Sequence, residues 1–214
     1  MKKIFLNSVI ELKVFAMTKK IIVKNVLYFL GFTFLLFSSY LLGLLFYDTT
    51  SGLDYGKYFL NVKFFMGEQV QLQDGNGSLY FYLISQSVST AIFGLEQENI
   101  DIYINNAIQS VNFILYIMGL LGLYKVFKRK GIKNSDLFLG LSILSFLPTG
   151  FYFRLTMKPE IMAFALLPWL IYFLDDYFRQ KTLFNKTITV LLLSILLTLK
   201  GSVTGMTLWI LLLL

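Results

Sequence analysis

Three carboxylates stand in one polar segment of an otherwise apolar sequence. Asp54, Glu68 and Asp74 belong to residues 48–106, which follow a long apolar run. The sequence contains no histidine and no cysteine, so the usual general base, the thiol nucleophile and the commonest zinc ligands are excluded. Acid–base chemistry in this chain must therefore use Asp, Glu, Lys or Tyr.

Three of the basic residues outside the basic clusters lie beside the later apolar runs of the sequence. They are Arg154, Lys158 and Lys200. Basic side chains bind phosphate and stabilise negative charge that develops during a reaction. These residues are therefore candidates for an anion-binding site. The alternative is that the long side chains only snorkel to lipid headgroups.

Composition determines the class of protein that must position these residues. The chain has 214 residues, of which 57% are hydrophobic and 14% are charged, and its mean hydropathy is +0.69. A soluble domain of this size cannot bury so much apolar surface, so we predict an all-α, polytopic membrane protein. The formal charge of +7 is attributed to the placement of basic loops, and no nucleic-acid partner is predicted.

Membrane-spanning helices need about 20 apolar residues. The predicted spans are about 26–47, 107–127, 137–153, 161–174, 187–200 and 203–214. The fourth is short enough that a locally thinned bilayer would have to accommodate it. Glycines between the last two spans predict a break there. Because the sequence stops inside an apolar run, we expect the chain to be truncated at its C-terminus.

The basic residues predict the orientation. Of nineteen Lys and Arg residues, six lie in residues 1–25, five in 125–133 and three in 179–186. The positive-inside rule therefore places the N-terminus in the cytoplasm and the loop 48–106 outside. Residues 1–25 form a basic cytoplasmic tail, which lies on the anionic inner leaflet as an amphipathic helix or is simply solvated.

The external loop 48–106 is too long for a passive connection and contains two aromatic clusters with helical spacing. Tyr55, Tyr58, Phe59 and Val62 fall on one face of the first. The second has a face formed by Tyr82, Ser85, Ser89 and Ile92. We predict two short juxtamembrane helices anchored by these aromatic residues.

The order of these segments resembles the N-terminal half of the GT-C membrane glycosyltransferases, which include the protein O-mannosyltransferases and the lipid A aminoarabinose transferases. The resemblance covers roughly residues 26–200 and lies in order and spacing. The segments that carry it are, in order, "LDYGKYFLNVKFFMGE", "GSLYFYLIS", "NNAIQSVNFILYIMGLLGLYKVFKR" and "LPTGFYFRLTMKPE". It implies an inverting sugar transfer from a polyprenyl-phosphate donor on the outer face of a membrane, here predicted to be a bacterial inner (plasma) membrane.

The resemblance implies that Asp54 is the catalytic base, with Glu68 and Asp74 as supporting acids. One carboxylate suffices to take the acceptor proton in a single displacement. Asp54 also occupies the position of an N-cap before the first loop helix, and the two roles are compatible. Arg154, Lys158 and Lys200 would bind the lipid phosphate.

These residues leave the acceptor and the need for a metal ion undetermined. The predicted partners are the polyprenyl-phosphate sugar and membrane lipids, and the acceptor is unknown. No metal ligand is assigned. Family members often carry an acidic pair in this loop, whereas Tyr55 follows Asp54 here. A divalent cation is therefore an open cofactor.

Two other classes of membrane protein are compatible with the spans. A transporter or lipid flippase would place ionisable residues at mid-membrane, and the first four predicted spans carry none there. A non-catalytic assembly subunit would need the spans but not the opposite charges at the outer face.

Overall fold

The computed structural model describes residues 2–46, 55–72, 78–92, 100–147, 154–199, 204–205 and 207–208. Within these ranges the regular structure is helical and no strand occurs. The principal helices are α1 (Lys2–Phe46), α2 (Tyr55–Phe65), α3 (Ser78–Ile92), α4 (Ile100–Arg129), α5 (Asn134–Phe146), α6 (Glu160–Gln180) and α7 (Leu183–Leu199). The all-α prediction is confirmed for this part of the chain.

Three helical stretches are long and apolar enough to cross a membrane. They are Ile21–Leu45 in α1, Tyr103–Arg129 in α4, and Glu160–Gln180, which is the whole of α6. These stretches contain most or all of the predicted first, second and fourth spans, and they are compatible with a membrane protein. The helix α6 has 21 residues and is therefore longer than the predicted fourth span.

The other predicted spans correspond to shorter helices or lie outside the description. Within the predicted third span, about 137–153, α5 ends at Phe146 after 13 residues, and residues 148–153 are not described. The helix α7 has 17 residues and overlaps the predicted fifth span. Most of the predicted sixth span, 203–214, lies outside the described residues.

The helix α1 is continuous through the predicted boundary at residue 25. Its 45 residues correspond to a length of about 67 Å at 1.5 Å per residue. That length is about twice the thickness of a bilayer's hydrocarbon core, which is about 30 Å. The basic tail is therefore helical from Lys2 onward and belongs to the same helix as the first predicted span.

The helix α4 is the centre of the described structure, because α1, α3, α5 and α6 all pack against it. It runs parallel to α6. The ring of Tyr116 stacks on Phe164 with centroids 4.8 Å apart. A Cβ atom added at Gly119 would lie 2.6 Å from the carbonyl oxygen of Phe164, and one at Gly122 would lie 2.8 Å from the Cβ of Pro168. Small residues therefore allow the two backbones to approach closely.

The two helices between α1 and α4 occur where the aromatic periodicity predicts them. Tyr58 and Val62 of α2 are buried, as the spacing indicates. Of the predicted face of α3, Ser85 is buried but Tyr82 is 45% exposed, so the buried apolar face is displaced by one to two positions from the predicted one. That buried face comprises Tyr80, Phe81, Ile84 and Val88. It contains the larger apolar side chains, which pack toward α2 and α4.

Candidate functional site

A buried polar cluster joins three parts of the chain near the N-terminal half of α4. Its centre is Asn112, which has no exposed surface. The side-chain Nδ2 of Asn112 donates to the carbonyl oxygens of Arg154 at 3.1 Å and Thr156 at 2.8 Å. Its Oδ1 accepts a hydrogen bond from the hydroxyl of Tyr80 at 2.7 Å. We call Tyr80, Asn112, Tyr116, Arg154 and Thr156 the Asn112 cluster.

Tyr80 attaches α3 to this cluster. Its side chain is completely buried, and its hydroxyl also takes part in a hydrogen bond with the backbone of Lys158. Burial raises the pKa of Tyr80 above its ordinary value of 10.0 because the phenolate would lose its hydration. Tyr80 therefore stays protonated near neutral pH and acts as a hydrogen-bond donor, which excludes it as a general base there.

Arg154 is turned into the cluster and not toward the surface. The residue is 5% exposed, its guanidinium carbon lies 5.2 Å from the centroid of the Tyr116 ring, and its Nη2 donates to the carbonyl oxygen of Ser145 at 3.4 Å. Burial lowers the pKa of Arg154 from its ordinary value of 12.5. An arginine starts so far above neutrality that it keeps its charge near pH 7. Snorkelling, with the stem buried and the charged group outside, does not describe this residue.

Lys158 follows Arg154 by four residues and lies at the start of α6. It is half-buried, and its carbonyl oxygen accepts a hydrogen bond from the backbone of Ile161 at 3.2 Å. Pro159 occupies the N-cap position with helical dihedral angles, so the chain turns directly from Lys158 into the helix. The structure therefore brings Arg154 and Lys158 together at one end of the α4–α6 pair. Lys200 lies outside the described residues.

The one predicted carboxylate that the structure describes is Glu68, and it pairs locally. Its Oε2 lies 3.2 Å from Nζ of Lys63, with 41% of the Glu68 side chain exposed. The same Lys63 ammonium lies 4.9 Å from the centroid of the Phe59 ring. Glu68 lies three residues beyond the end of α2 and is paired with Lys63 in the last turn of that helix. Asp54 and Asp74 lie outside the described residues, but α2 begins at the residue that follows Asp54.

The C-terminal end of α1 reaches the same region of α4. The Nε2 of Gln109, which is buried, donates to the carbonyl oxygen of Gly43 at 2.9 Å. The hydroxyl of Tyr40 lies 2.9 Å from Oγ of Ser110, and the Tyr40 ring stacks on Phe113 with centroids 4.3 Å apart. Side-chain amides and hydroxyls of α4 therefore contact α1 on one side and α3 on the other.

A second polar cluster lies at the opposite end of the α4–α6 pair. The guanidinium of Arg129 contacts Asp175 at 3.0 Å and Asp176 at 2.9 Å, and it lies 3.9 Å from the centroid of the Tyr172 ring. Arg179 also contacts Asp175, at 3.1 Å. These pairs explain why α6 continues through its two aspartates: the partner charge comes from α4.

Within the described ranges, no group of three or more His, Cys, Asp or Glu side chains is arranged to hold a metal ion. Asp54 and Asp74 are not among the residues that were described. The divalent cation therefore stays an open prediction.

The sequence interpretation missed the centre of the site. Asn112 and Gln109 are uncharged, so a search for acids, bases and phosphate-binding cations does not select them. A usable signal was present, because amides inside an apolar run are costly unless they find hydrogen-bond partners. "NNAIQSVNF" contains four such amides in nine residues.

The chain matches no protein-family model, no curated protein and no solved structure. The glycosyltransferase resemblance therefore stays a hypothesis based on the order and spacing of segments in the sequence.

Proposed function

We propose that this protein is a membrane glycosyltransferase that moves a sugar from a polyprenyl-phosphate donor to an acceptor at the outer face of the membrane. The observation that carries the proposal is the Asn112 cluster. Through it, the loop helix α3 is hydrogen-bonded to the segment that contains Arg154 and Lys158. The loop helix α3 and the segment that contains Lys158 thus belong to one packed unit.

The proposed topology is supported by the direction of the helices. Because α4 and α6 are parallel, the loop before α4 and the segment before α6 must lie at the same side of the helix pair. The opposite end of α4 leads into the basic residues of 125–133, which the positive-inside rule assigns to the cytoplasm. The loop 48–106 and the segment 154–160 are therefore assigned to the exterior, and the protein to a bacterial plasma membrane.

In the proposed reaction, Asp54 takes the proton of the acceptor hydroxyl while that oxygen attacks the anomeric carbon of the donor sugar. The bond between the sugar and the lipid phosphate breaks, and the electron pair leaves with the phosphate. A carboxylate positioned in this way typically contributes about 10²- to 10⁴-fold to the rate. Glu68 and Asp74 are assigned supporting roles only, and the contact of Glu68 with Lys63 keeps it second to Asp54.

The leaving lipid phosphate needs positive charge beside it. Lys158 is half-buried and is assigned the direct phosphate contact, together with Lys200. Arg154 is too deeply buried to reach a phosphate at the surface. We assign it a fixed positive charge behind Lys158, whose field favours an anion at the mouth of the site.

The test is sugar transfer by the complete protein in lipid nanodiscs with a defined polyprenyl-phosphate sugar, measured as released polyprenyl phosphate. We expect Asp54→Asn to lower turnover by about 10²-fold or more because it removes the base and keeps the shape. The matched control is Asp136→Asn, an exposed carboxylate at the start of α5 near the opposite end of α4.

Lys158→Gln should weaken use of the donor by about 10- to 100-fold, since a charge-assisted contact contributes about 1.5–3 kcal/mol. Full turnover by Asp54→Asn would show that Asp54 is not the catalytic base. If the wild-type protein transfers no sugar but moves the lipid-linked sugar between leaflets, the protein is a flippase and the transferase proposal is wrong.

A further inference from the structure

A cleft of about 700 Å³ lies between α3 and α4, beside the Asn112 cluster, and most of its lining surface is apolar, with hydroxyl and amide groups among it. Its volume falls within the range of about 300–1,000 Å³ that is usual for ligand pockets. Five of the residues that line it carry hydroxyl or amide groups. They are Gln86, Ser87, Tyr103, Asn106 and Ser110. The residues Leu83 and Ala107 complete the lining.

The position of the cleft follows from the packing of α3 on α4. Tyr80 of α3 meets Asn112 of α4, and Leu83 and Ser87 of α3 lie opposite residues that precede Asn112 in α4. The two helices are therefore antiparallel, and the cleft is the next part of the same interface. The Tyr80–Asn112 hydrogen bond joins the two helices at one end of the cleft.

The chemistry of the lining selects the class of ligand. Asn and Gln amides and Ser and Tyr hydroxyls both donate and accept hydrogen bonds, which matches groups that do the same, above all the hydroxyls of a sugar. Tyr103 adds an aromatic face. Among the described residues that line the cleft, none is charged. An anionic or cationic ligand would lose hydration there and gain no opposite charge from these described residues.

We propose that this cleft binds an uncharged sugar residue, in preference to an amino sugar or a uronic acid. The proposal rests on the proposed function for its assignment to sugar transfer, and it adds which class of sugar the site accepts. The Tyr40 hydroxyl, 2.9 Å from Oγ of Ser110, holds one of the polar groups of the cleft in place.

The absence of cysteine from the sequence provides a direct test. A Ser87→Cys variant of the full chain, in phosphatidylcholine nanodiscs, carries one thiol in the cleft, and a water-soluble maleimide reports its accessibility. We expect methyl glucoside at about ten times its Kd to slow labelling by about tenfold, because only the free fraction reacts. Glucosamine and glucuronate at the same concentration should give no comparable protection.

Two matched variants control this experiment. Gln71→Cys places the thiol on an exposed position between α2 and α3, outside the cleft, and its labelling should not respond to any of the three sugars. Asn106→Leu in the Ser87→Cys background removes an exposed amide of the cleft and should abolish protection with an unchanged helical circular dichroism spectrum. Equal protection by the charged sugars, no protection by methyl glucoside, or protection that survives Asn106→Leu would overturn the proposal.

The outcome is separable from that of the proposed function. If the protein transfers sugar but sugars do not protect the Ser87→Cys thiol, sugar binding in the cleft is refuted and the proposed transferase activity is retained. Protection without transfer by the wild-type protein would leave a sugar-binding cleft and refute the transferase.

Discussion

Replacing Asn112 by leucine should destabilise the protein more than any other single amide change in α4. The variant keeps the number and branching of the side-chain heavy atoms and removes three hydrogen bonds, to the Tyr80 hydroxyl and to the carbonyl oxygens of Arg154 and Thr156. All of these groups are buried, so water cannot replace the lost partner without opening the packing.

The size of the effect follows from this count. A typical hydrogen bond contributes about 0.5–1.5 kcal/mol net, and a buried group left without its partner costs about 1–3 kcal/mol. Burial of the added apolar surface offsets about 1 kcal/mol. We therefore expect Asn112→Leu to lower the free energy of unfolding by about 2–4 kcal/mol. Tyr80→Phe removes one of the three bonds and should cost about 1–2 kcal/mol.

The assay is equilibrium unfolding of the purified full chain in mixed micelles, followed by circular dichroism. The control is Asn106→Leu, because Asn106 lies on the same helix and is exposed, and a surface change of this kind usually stays within about 0.5 kcal/mol. The double variant Tyr80→Phe/Asn112→Leu should be less destabilised than the sum of its parts, by about 1 kcal/mol, because both remove the same bond. An Asn112→Leu variant as stable as Asn106→Leu would refute the role given to the cluster.

Three further changes test other parts of the structure. Gly119→Ala should lower the free energy of unfolding by about 1–3 kcal/mol because the new Cβ meets Phe164. Gly140→Ala, with nothing within 4 Å of the new Cβ, should instead raise it by up to about 1 kcal/mol through helix propensity. Changes of the same sign in unfolding experiments would contradict the close approach of α4 and α6. Arg129→Gln should lower the free energy of unfolding by about 1–2 kcal/mol, because it removes the partly exposed ion pairs with Asp175 and Asp176 and the contact with the Tyr172 ring. Arg179 is more exposed, so Arg179→Gln should lower it by less than about 0.5 kcal/mol. Equal losses for the two variants would contradict this ranking. A cysteine at Gln71 should label from outside intact cells and a cysteine at Lys130 should not, and external labelling of Lys130→Cys would reverse the proposed topology.

The sequence predicts the helices better than their contacts, and the reason is physical. Apolar runs and aromatic periodicity are local, and they located α2, α3 and most of α4. The end of α6 depends on a distant residue, because Asp175 and Asp176 look like a polar boundary until Arg129, more than forty residues earlier, is brought beside them. Local patterns carry no information about that pairing.

The candidate site shows the same division. Arg154 and Lys158 were selected from their charge and position, and the structure brings them to one end of the α4–α6 pair. The burial of Arg154 was not predictable, because it depends on the Tyr116 ring and on the carbonyl of Ser145. Those contacts exist only when α4 and α5 have packed around the segment 154–156.

The two polar clusters explain how a single arrangement of α4 and α6 is selected. Between them the helices meet through glycines, aromatic rings and a hydrogen bond from Nε1 of Trp169 to the carbonyl oxygen of Met118 at 2.8 Å. At one end, a slide by one turn of about 5.4 Å would separate the guanidinium of Arg129 from both aspartates. At the other end, it would leave the buried amide of Asn112 without its carbonyl partners, at a cost of about 1–3 kcal/mol for each group. Because the clusters fix both ends, α3, and with it the cleft between α3 and α4, is positioned against the α4–α6 pair.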